Sequence, residues 1–371
     1  MKRIIFTVTN DLNYDGRMIR ICNSLVSAGY EVLLVGVKNP RSKPLQEKRF
    51  RQKRLGSIFQ KGFWFYAEYN FRLFWYLLFR KTDIICCIDL DTMLPVWLMT
   101  VFRSKKRIYD AHEFFSQQKE IVTRRKVFRV WNWIEKKFVT KFRHGYTVSD
   151  GIAKEFKERY AVDYLVIRNI PLLKNAASLS PELLSNGSNA VKEEKKVLYR
   201  GAVNEARGLE FLIPAMKHVD SKLIICGDGN FMEQTKELIN SNKLNEKVFL
   251  YGMFLPEQLE EVTEKTQVGV NLVENIGLNQ YYSLPNKFFD YIHHGIPQLT
   301  MDYPEYKKIN DEFEVAVLIG DLNEDSIAAA LNRLLNDEVL YSRLQQNCLK
   351  ARSVLNWQEE EKKLLAFYEQ L

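Results

Sequence analysis

The chain has 371 residues, 46% hydrophobic and 13% aromatic, a length that favours two domains over one core. Its net charge of +8 divides unevenly, +17 over residues 1–172 and −9 over the rest, so the first half meets something anionic: nucleic acid, an anionic membrane surface or a phosphorylated acceptor. No zinc-finger, RNA-binding or helix-turn-helix pattern supports nucleic acid, and the five cysteines form neither a C-x-x-C pair nor a zinc spacing, which predicts buried reduced thiols in a cytosolic chain.

After Met1-Lys2-Arg3 comes the apolar run Ile4–Val8, of strand length and with no small-residue cleavage site after it, so no signal peptide is expected. Met18, Ile21, Cys22 and Leu25 recur at helical spacing, Gly29 sits where a C-cap glycine belongs, and Glu31–Val35 is a second strand. Residues 41–54 form a basic stretch, followed by the aromatic-rich run Gly62–Phe79. Glu68 and Arg72 interrupt that run, which therefore falls short of the roughly 18 uncharged residues of a spanning helix. It suits either a membrane surface or a buried aromatic helix beside a solvated basic loop, and the basic residues 103–107 and 124–126 favour the surface. Ile84–Ile88 and Arg107–Tyr109 are further strands.

Residues 173–196, with their Ser, Pro, Asn and Gly and a charge run ending at Lys196, have linker chemistry. Beyond them the alternation resumes: strand Val197–Tyr199, helix Leu209–His218, strands Leu223–Cys226, Val248–Tyr251 and Val268–Leu272, a helix from about Pro285, strand Pro297–Thr300 and a last amphipathic helix over Gln358–Leu371. Alternating strands and helices predict an α/β protein with parallel sheets and ligands at the strands' carboxyl ends. The domains expected are 1–172, joined by a returning helix at 356–371, and 197–355.

The segment Ser283-Leu284-Pro285-Asn286-Lys287-Phe288-Phe289-Asp290, closed by Gly295-Ile296-Pro297, has the chemistry of an anion site. A proline at a helix start wastes no donor, the first amides and the helix dipole favour negative charge, and Lys287 and Asp290 share one helix face. The segment resembles the donor signature of the retaining GT-B glycosyltransferases, the large bacterial mannosyl-, glucosyl- and galactosyltransferase family. Leu198-Tyr199-Arg200-Gly201 with Arg207-Gly208, Gly227-Asp228-Gly229, Tyr109-Asp110-Ala111-His112-Glu113 and the first loop, Asn10 to Arg17, resemble further motifs of that family.

The resemblance implies two doubly wound Rossmann-like domains facing across a cleft. It implies a nucleoside-diphosphate sugar, UDP- or GDP-linked, as donor, with contacts from Gly201, Arg207, Gly227, Ser283, Leu284, Pro285, Asn286, Lys287 and Asp290. Arg207 and Lys287 would hold the diphosphate, Asp290 the ribose, and His112 a hydroxyl of the sugar or the β-phosphate. Asp15, Arg17, Asp110 and Glu113 would bind the acceptor, a saccharide or lipid-linked molecule at the inner membrane face; Arg17 suits either ligand, and Asp15 suits helix capping as well. No cofactor and no metal are expected, and Asp89-Leu90-Asp91 is expected to cap a helix near Thr92 rather than bind metal.

One position departs from the pattern. Tyr282 stands where the family carries the first of two glutamates eight positions apart, and Glu274 is a misspaced substitute. A sugar-nucleotide epimerase or a non-catalytic membrane-associated scaffold of the same fold are the alternatives.

Overall fold

A computed structural model describes residues 1–13, 15–40, 42–174, 195–254 and 256–371, in two compact units. Unit 1 comprises Met1–Asn169, Gly277–Asn279 and Glu360–Leu371; unit 2 comprises Ile170–Ile276 and Gln280–Glu359. Most of the expected linker, 175–194, and Tyr14 of the first loop lie outside the described residues.

In unit 1 the elements run β1 (Arg3–Thr7), α1 (Gly16–Ser27), β2 (Glu31–Lys38), β3 (Arg51–Gly56), α2 (Gly62–Leu78), β4 (Ile84–Ile88), α3 (Met93–Phe102), β5 (Lys106–Ala111), α4 (Lys119–Val122), α5 (Arg125–Phe138), β6 (His144–Thr147), α6 (Asp150–Tyr160) and β7 (Leu165–Val166). The seven strands are parallel, in the order β3-β2-β1-β4-β5-β6-β7. Strand order reverses at β1/β4, and in such sheets that switch point opens a crevice at the carboxyl ends. The basic stretch expected as loop contributes β3. Its sequence, Arg-Gln-Lys-Arg-Leu-Gly, lacks apolar alternation because it is an edge strand, where charge deters further pairing.

Unit 2 runs β8 (Lys196–Arg200), α7 (Leu209–Ala215), β9 (Lys222–Cys226), α8 (Met232–Ser241), β10 (Val248–Gly252), α9 (Pro256–Glu264), β11 (Val268–Asn271), the end of α10 (Leu278–Tyr281), α11 (Asn286–His293), β12 (Gln298–Met301), α12 (Pro304–Phe313), β13 (Ala316–Ile319), α13 (Glu324–Asn336), α14 (Glu338–Ala351) and the start of α15 (Trp357–Glu369). Its six-stranded sheet has the order β10-β9-β8-β11-β12-β13, again parallel, with the reversal at β8/β11. The core is aliphatic and aromatic, with Phe288, Phe289 and Ile292 of α11 buried against it. The helix expected to reach His218 ends at Ala215, after Pro214, and a 3₁₀ turn continues it.

The end of α15 completes unit 1. Leu364 and Tyr368 are buried, Tyr368 lies 6.2 Å from the Phe6 ring, and its hydroxyl meets that of Tyr146 at 3.3 Å. Among the described residues no helix is long and apolar enough to cross a membrane, and all five cysteines are buried and free.

Helix α1 is fixed at both ends of its first turn. Asp15 caps it, accepting from the Met18 amide at 3.0 Å. Arg17 reaches β5 and donates to both oxygens of Asp110, at 2.9 and 3.4 Å, and to the Ile167 carbonyl at 3.3 Å; both side chains of the pair are at most 2% exposed. Burial pushes the Asp110 carboxyl up, and the Arg17 guanidinium opposes that shift. Removing one partner strands a buried charge, so Arg17→Ala should lower stability by about 3–5 kcal/mol, read in urea unfolding against the parent chain.

Candidate functional site

The donor-type motifs of unit 2 meet at the β8/β11 switch point. The β8 end carries Arg200 and Gly201, the following loop carries Arg207, and the β11 exit is tied to that loop by the Glu274 amide, which donates to the Ala206 carbonyl at 3.1 Å. Gly208, at φ 73°, turns the loop into α7, and a Cβ there would come 2.7 Å from Leu272 Cβ. Gly227 after β9 is tighter: at φ 154° its missing Cβ leaves room for the Gly201 carbonyl, which would otherwise stand 1.8 Å away. Gly201 itself is exposed.

Helix α11 brings the remaining groups. Pro285, at φ −73° and ψ 152°, is its cap residue, one position earlier than the first-turn place expected, and its carbonyl accepts from Phe288 N at 3.0 Å. The amides of Asn286 and Lys287 in the open first turn donate to no group among the described residues. Leu284 is buried; Ser283 Oγ donates to the Gln280 carbonyl at 2.9 Å and so shapes the turn. Tyr291 anchors the buried face, donating to the Leu198 carbonyl at 2.8 Å.

Lys287 and Asp290 do emerge on one face, but each meets a group not foreseen. Asp290 pairs with Arg200 at 3.1 Å, and Arg200 also donates to Thr263 Oγ1 at 3.3 Å. Lys287 Nζ stands 4.2 Å from the centroid of the Tyr199 ring. Burial, then the like charges of Arg207 and Arg200, bring its pKa down to about 7. Among the described residues Arg207 makes no ion pair or hydrogen bond. Arg200, Arg207 and Lys287 thus gather with Asp290 beside open helix amides, a set that fits a multivalent anion. Arg200 stood within a quoted motif, at a strand end beside glycine, and that position was its only signal.

In unit 1 His112 lies at the β5 exit, and Asn169 Nδ2 meets its Nε2 at 3.2 Å. The Asn169 carbonyl oxygen is engaged by Arg20, so the amide must donate to the ring; the ring proton therefore sits on Nδ1, which faces Asp89 Oδ2 at 4.0 Å. Burial, with Arg17 and Arg20, lowers the His112 pKa to about 3, so the ring is a neutral hydrogen-bonding group.

Asp89 does not cap a helix. At φ 55°, ψ 179°, a strained conformation for a non-glycine residue, it accepts from the Glu113 amide at 2.9 Å and holds the His112 loop. Burial, then Glu113 and Asp91, raise its pKa. Helix α3 starts at Met93 without a side-chain cap. Of the residues expected to bind acceptor, Arg17 and Asp110 are buried against each other and offer no ligand surface. Asp15 is half-buried, accepting from Met18 N and, at 3.1 Å, from Asn10 Nδ2; Glu113 is half-buried and held by Gln118. Among the described residues no group of three or more His, Cys, Asp or Glu is placed to hold a metal ion.

Residues 182–351, just under half the chain, match the family model described as glycosyl transferases group 1. No curated protein sequence matches significantly. Among solved structures, sucrose-phosphate synthase from Thermosynechococcus elongatus superposes with a TM-score of 0.81 at 16% identity, covering 100% of this chain and 99% of that one. HepE from Anabaena, in complex with UDP and glucose, superposes at 0.78 and 13%, with full coverage of both chains. A glycosyltransferase from Rickettsia africae superposes at 0.74 and 14%, covering 100% and 98%. The fold is GT-B.

Two outcomes follow. Gly227→Ala should destabilise by about 1–3 kcal/mol or more, since both strain and overlap oppose it; a calorimetric scan should show a lower Tm, and an unchanged Tm would contradict the packing described. The His112 ring protons should hold constant NMR shifts between pH 8 and 5. Because its pKa in the folded chain lies below the ordinary 6.5, stability should fall as pH drops from about 6.5 towards 3.

Proposed function

We propose that this chain is a glycosyltransferase that moves a sugar from a nucleoside-diphosphate sugar, UDP- or GDP-linked, to a hydroxyl of a saccharide or lipid-linked acceptor at a membrane surface, with retention. The observation that carries this is the cluster of Arg200, Arg207 and Lys287 beside the open amides of α11, with Asp290 paired to Arg200. UDP and glucose bound to HepE, and the family match over residues 182–351, support a sugar nucleotide as the anion.

In this mechanism Arg207, Lys287 and the α11 amides hold the diphosphate and stabilise the charge that develops as it leaves. Arg200 orients Asp290, whose remaining acceptor capacity serves the ribose hydroxyls. Glu274, pinned by its amide beside the Arg207 loop, takes the sugar contact that Tyr282 does not make. His112 is assigned a sugar hydroxyl on resemblance. The acceptor oxygen bonds to the anomeric carbon on the face from which the diphosphate departs, and its proton passes to the leaving phosphate oxygen. The chain's own cations provide the charge neutralisation, so no metal is invoked.

Thermal stabilisation across a panel of nucleoside diphosphates, with and without Mg²⁺, tests this. One diphosphate at about 100 times its Kd should add about 2.7 kcal/mol, without Mg²⁺; Asp290→Ala should abolish the gain, and Lys287→Ala should reduce it while leaving binding measurable. Stabilisation by none of the panel would end the transferase proposal and leave a non-catalytic scaffold. Lys287 adds a signature: at pH 8 its amine is mostly neutral, and the bound diphosphate favours the ammonium. Calorimetry in buffers of different ionisation enthalpy should therefore show proton uptake at pH 8, little at pH 6, and none in Lys287→Ala.

A further inference from the structure

An apolar groove in unit 1 takes no part in the chemistry above. It lies among α2, α3, α4 and α5 and encloses about 1060 Å³, at the top of the range for small-molecule sites. Helix α2 buries only the stripe Phe65, Tyr69, Leu73 and Leu77. Its other aromatic residues line the groove or face solvent: Phe71 is 64% exposed, and Phe63, Phe74 and Trp75 stand opposite Leu98 of α3 and Trp131 of α5. Exposed apolar area of this kind marks a binding surface.

Polar groups also line the groove. Asp91, just past β4, is 7% exposed; its Oδ2 accepts from Thr9 Oγ1 at 2.5 Å, while Oδ1 is buried without a partner. Burial raises its pKa to about 7. Asn70 Oδ1, also lining the groove, is likewise buried and unpartnered. Lys61, Arg124 and Lys126 stand on the same lining, against Glu120. Because α2 and α3 both begin at the carboxyl edge of the parallel sheet, Lys61, Asn70 and Asp91 lie towards that edge. Trp75 and Leu98 lie further down the helices, with Phe79 and Phe102 exposed at their far ends.

We propose that this groove seats the acceptor, and that the acceptor is an anionic lipid: a long apolar chain along Phe71, Phe74, Trp75 and Leu98, an acidic phosphate at Lys61, Arg124 and Lys126, and a hydroxyl at the unpartnered oxygens of Asp91 and Asn70. Three cations against Glu120 favour an anionic head, and the aromatic walls favour a hydrocarbon tail over a sugar chain. The term acceptor rests on the sugar-transfer proposal; the lipid site itself does not.

The test uses farnesyl monophosphate below its aggregation threshold, followed by tryptophan fluorescence of the full chain. Binding should be saturable, weaker for farnesol and absent for inorganic phosphate. Ala67→Trp fills the groove from an exposed position and should weaken binding roughly tenfold or more, about 1.4 kcal/mol, while Arg124→Glu with Lys126→Glu should remove the preference for the phosphate over farnesol. Both variants should keep the parent Tm and the nucleotide-induced stabilisation in unit 2. Unchanged affinity in Ala67→Trp overturns the proposal. So does binding to phosphatidylglycerol vesicles without binding of the monomeric lipid, which would make the face a membrane-adhering surface. Lipid binding without any nucleotide effect would retire the transferase proposal and leave the groove standing.

Discussion

Mutual repulsion among positive charges at the β8/β11 switch point is the constraint around which unit 2 is organised. Arg200, Arg207 and Lys287 repel one another, and the one carboxylate paired among them, Asp290, is engaged by Arg200. The fold tolerates this because β8, β11 and α11 are fixed by buried packing: Tyr291 bolts α11 to β8, and the Gly227–Gly201 contact locks the strand exits. Lys287 relieves part of the repulsion by shedding its proton near neutrality. A bound anion would relieve the rest, and the attraction would arise from the way the fold holds these charges together.

Unit 1 handles its charges in the opposite way. Arg17 and Asp110 neutralise each other in the interior, Asp89 and Asp91 are pushed towards the neutral form, and His112 stays uncharged. The lysines and arginines that give this half its excess lie largely on the surface, Lys61, Arg124 and Lys126 at the rim of the groove among them.

The repeated strand–helix rhythm was legible because buried parallel strands read as short apolar runs. The turn at Pro285, the one-face spacing of Lys287 and Asp290 and the glycines after β8 and β9 were legible because local geometry dictates those residue types. Four things were not. Strand β3 is an edge whose charges disguise it. The Arg17–Asp110 pair joins residues 93 positions apart, and nothing near either predicts that the two charges are spent on each other. Asp89 looked like a cap because Asp commonly caps helices, yet its left-handed backbone turns the carboxylate to the Glu113 amide and its strain is invisible in sequence. Arg200 belongs with these, since its partner Asp290 lies across the sheet on α11.

The returning helix α15 also sets an order of events in the cell. Phe6, Tyr146 and Tyr30 await Tyr368, a residue that leaves the ribosome only after all of unit 2 has been made. The half of the chain synthesised first is therefore the half that finishes last: unit 2 can close while β1 and β6 still lack their cover. Vectorial synthesis, which ordinarily lets the N-terminal domain mature first, here leaves that domain waiting for its last helix.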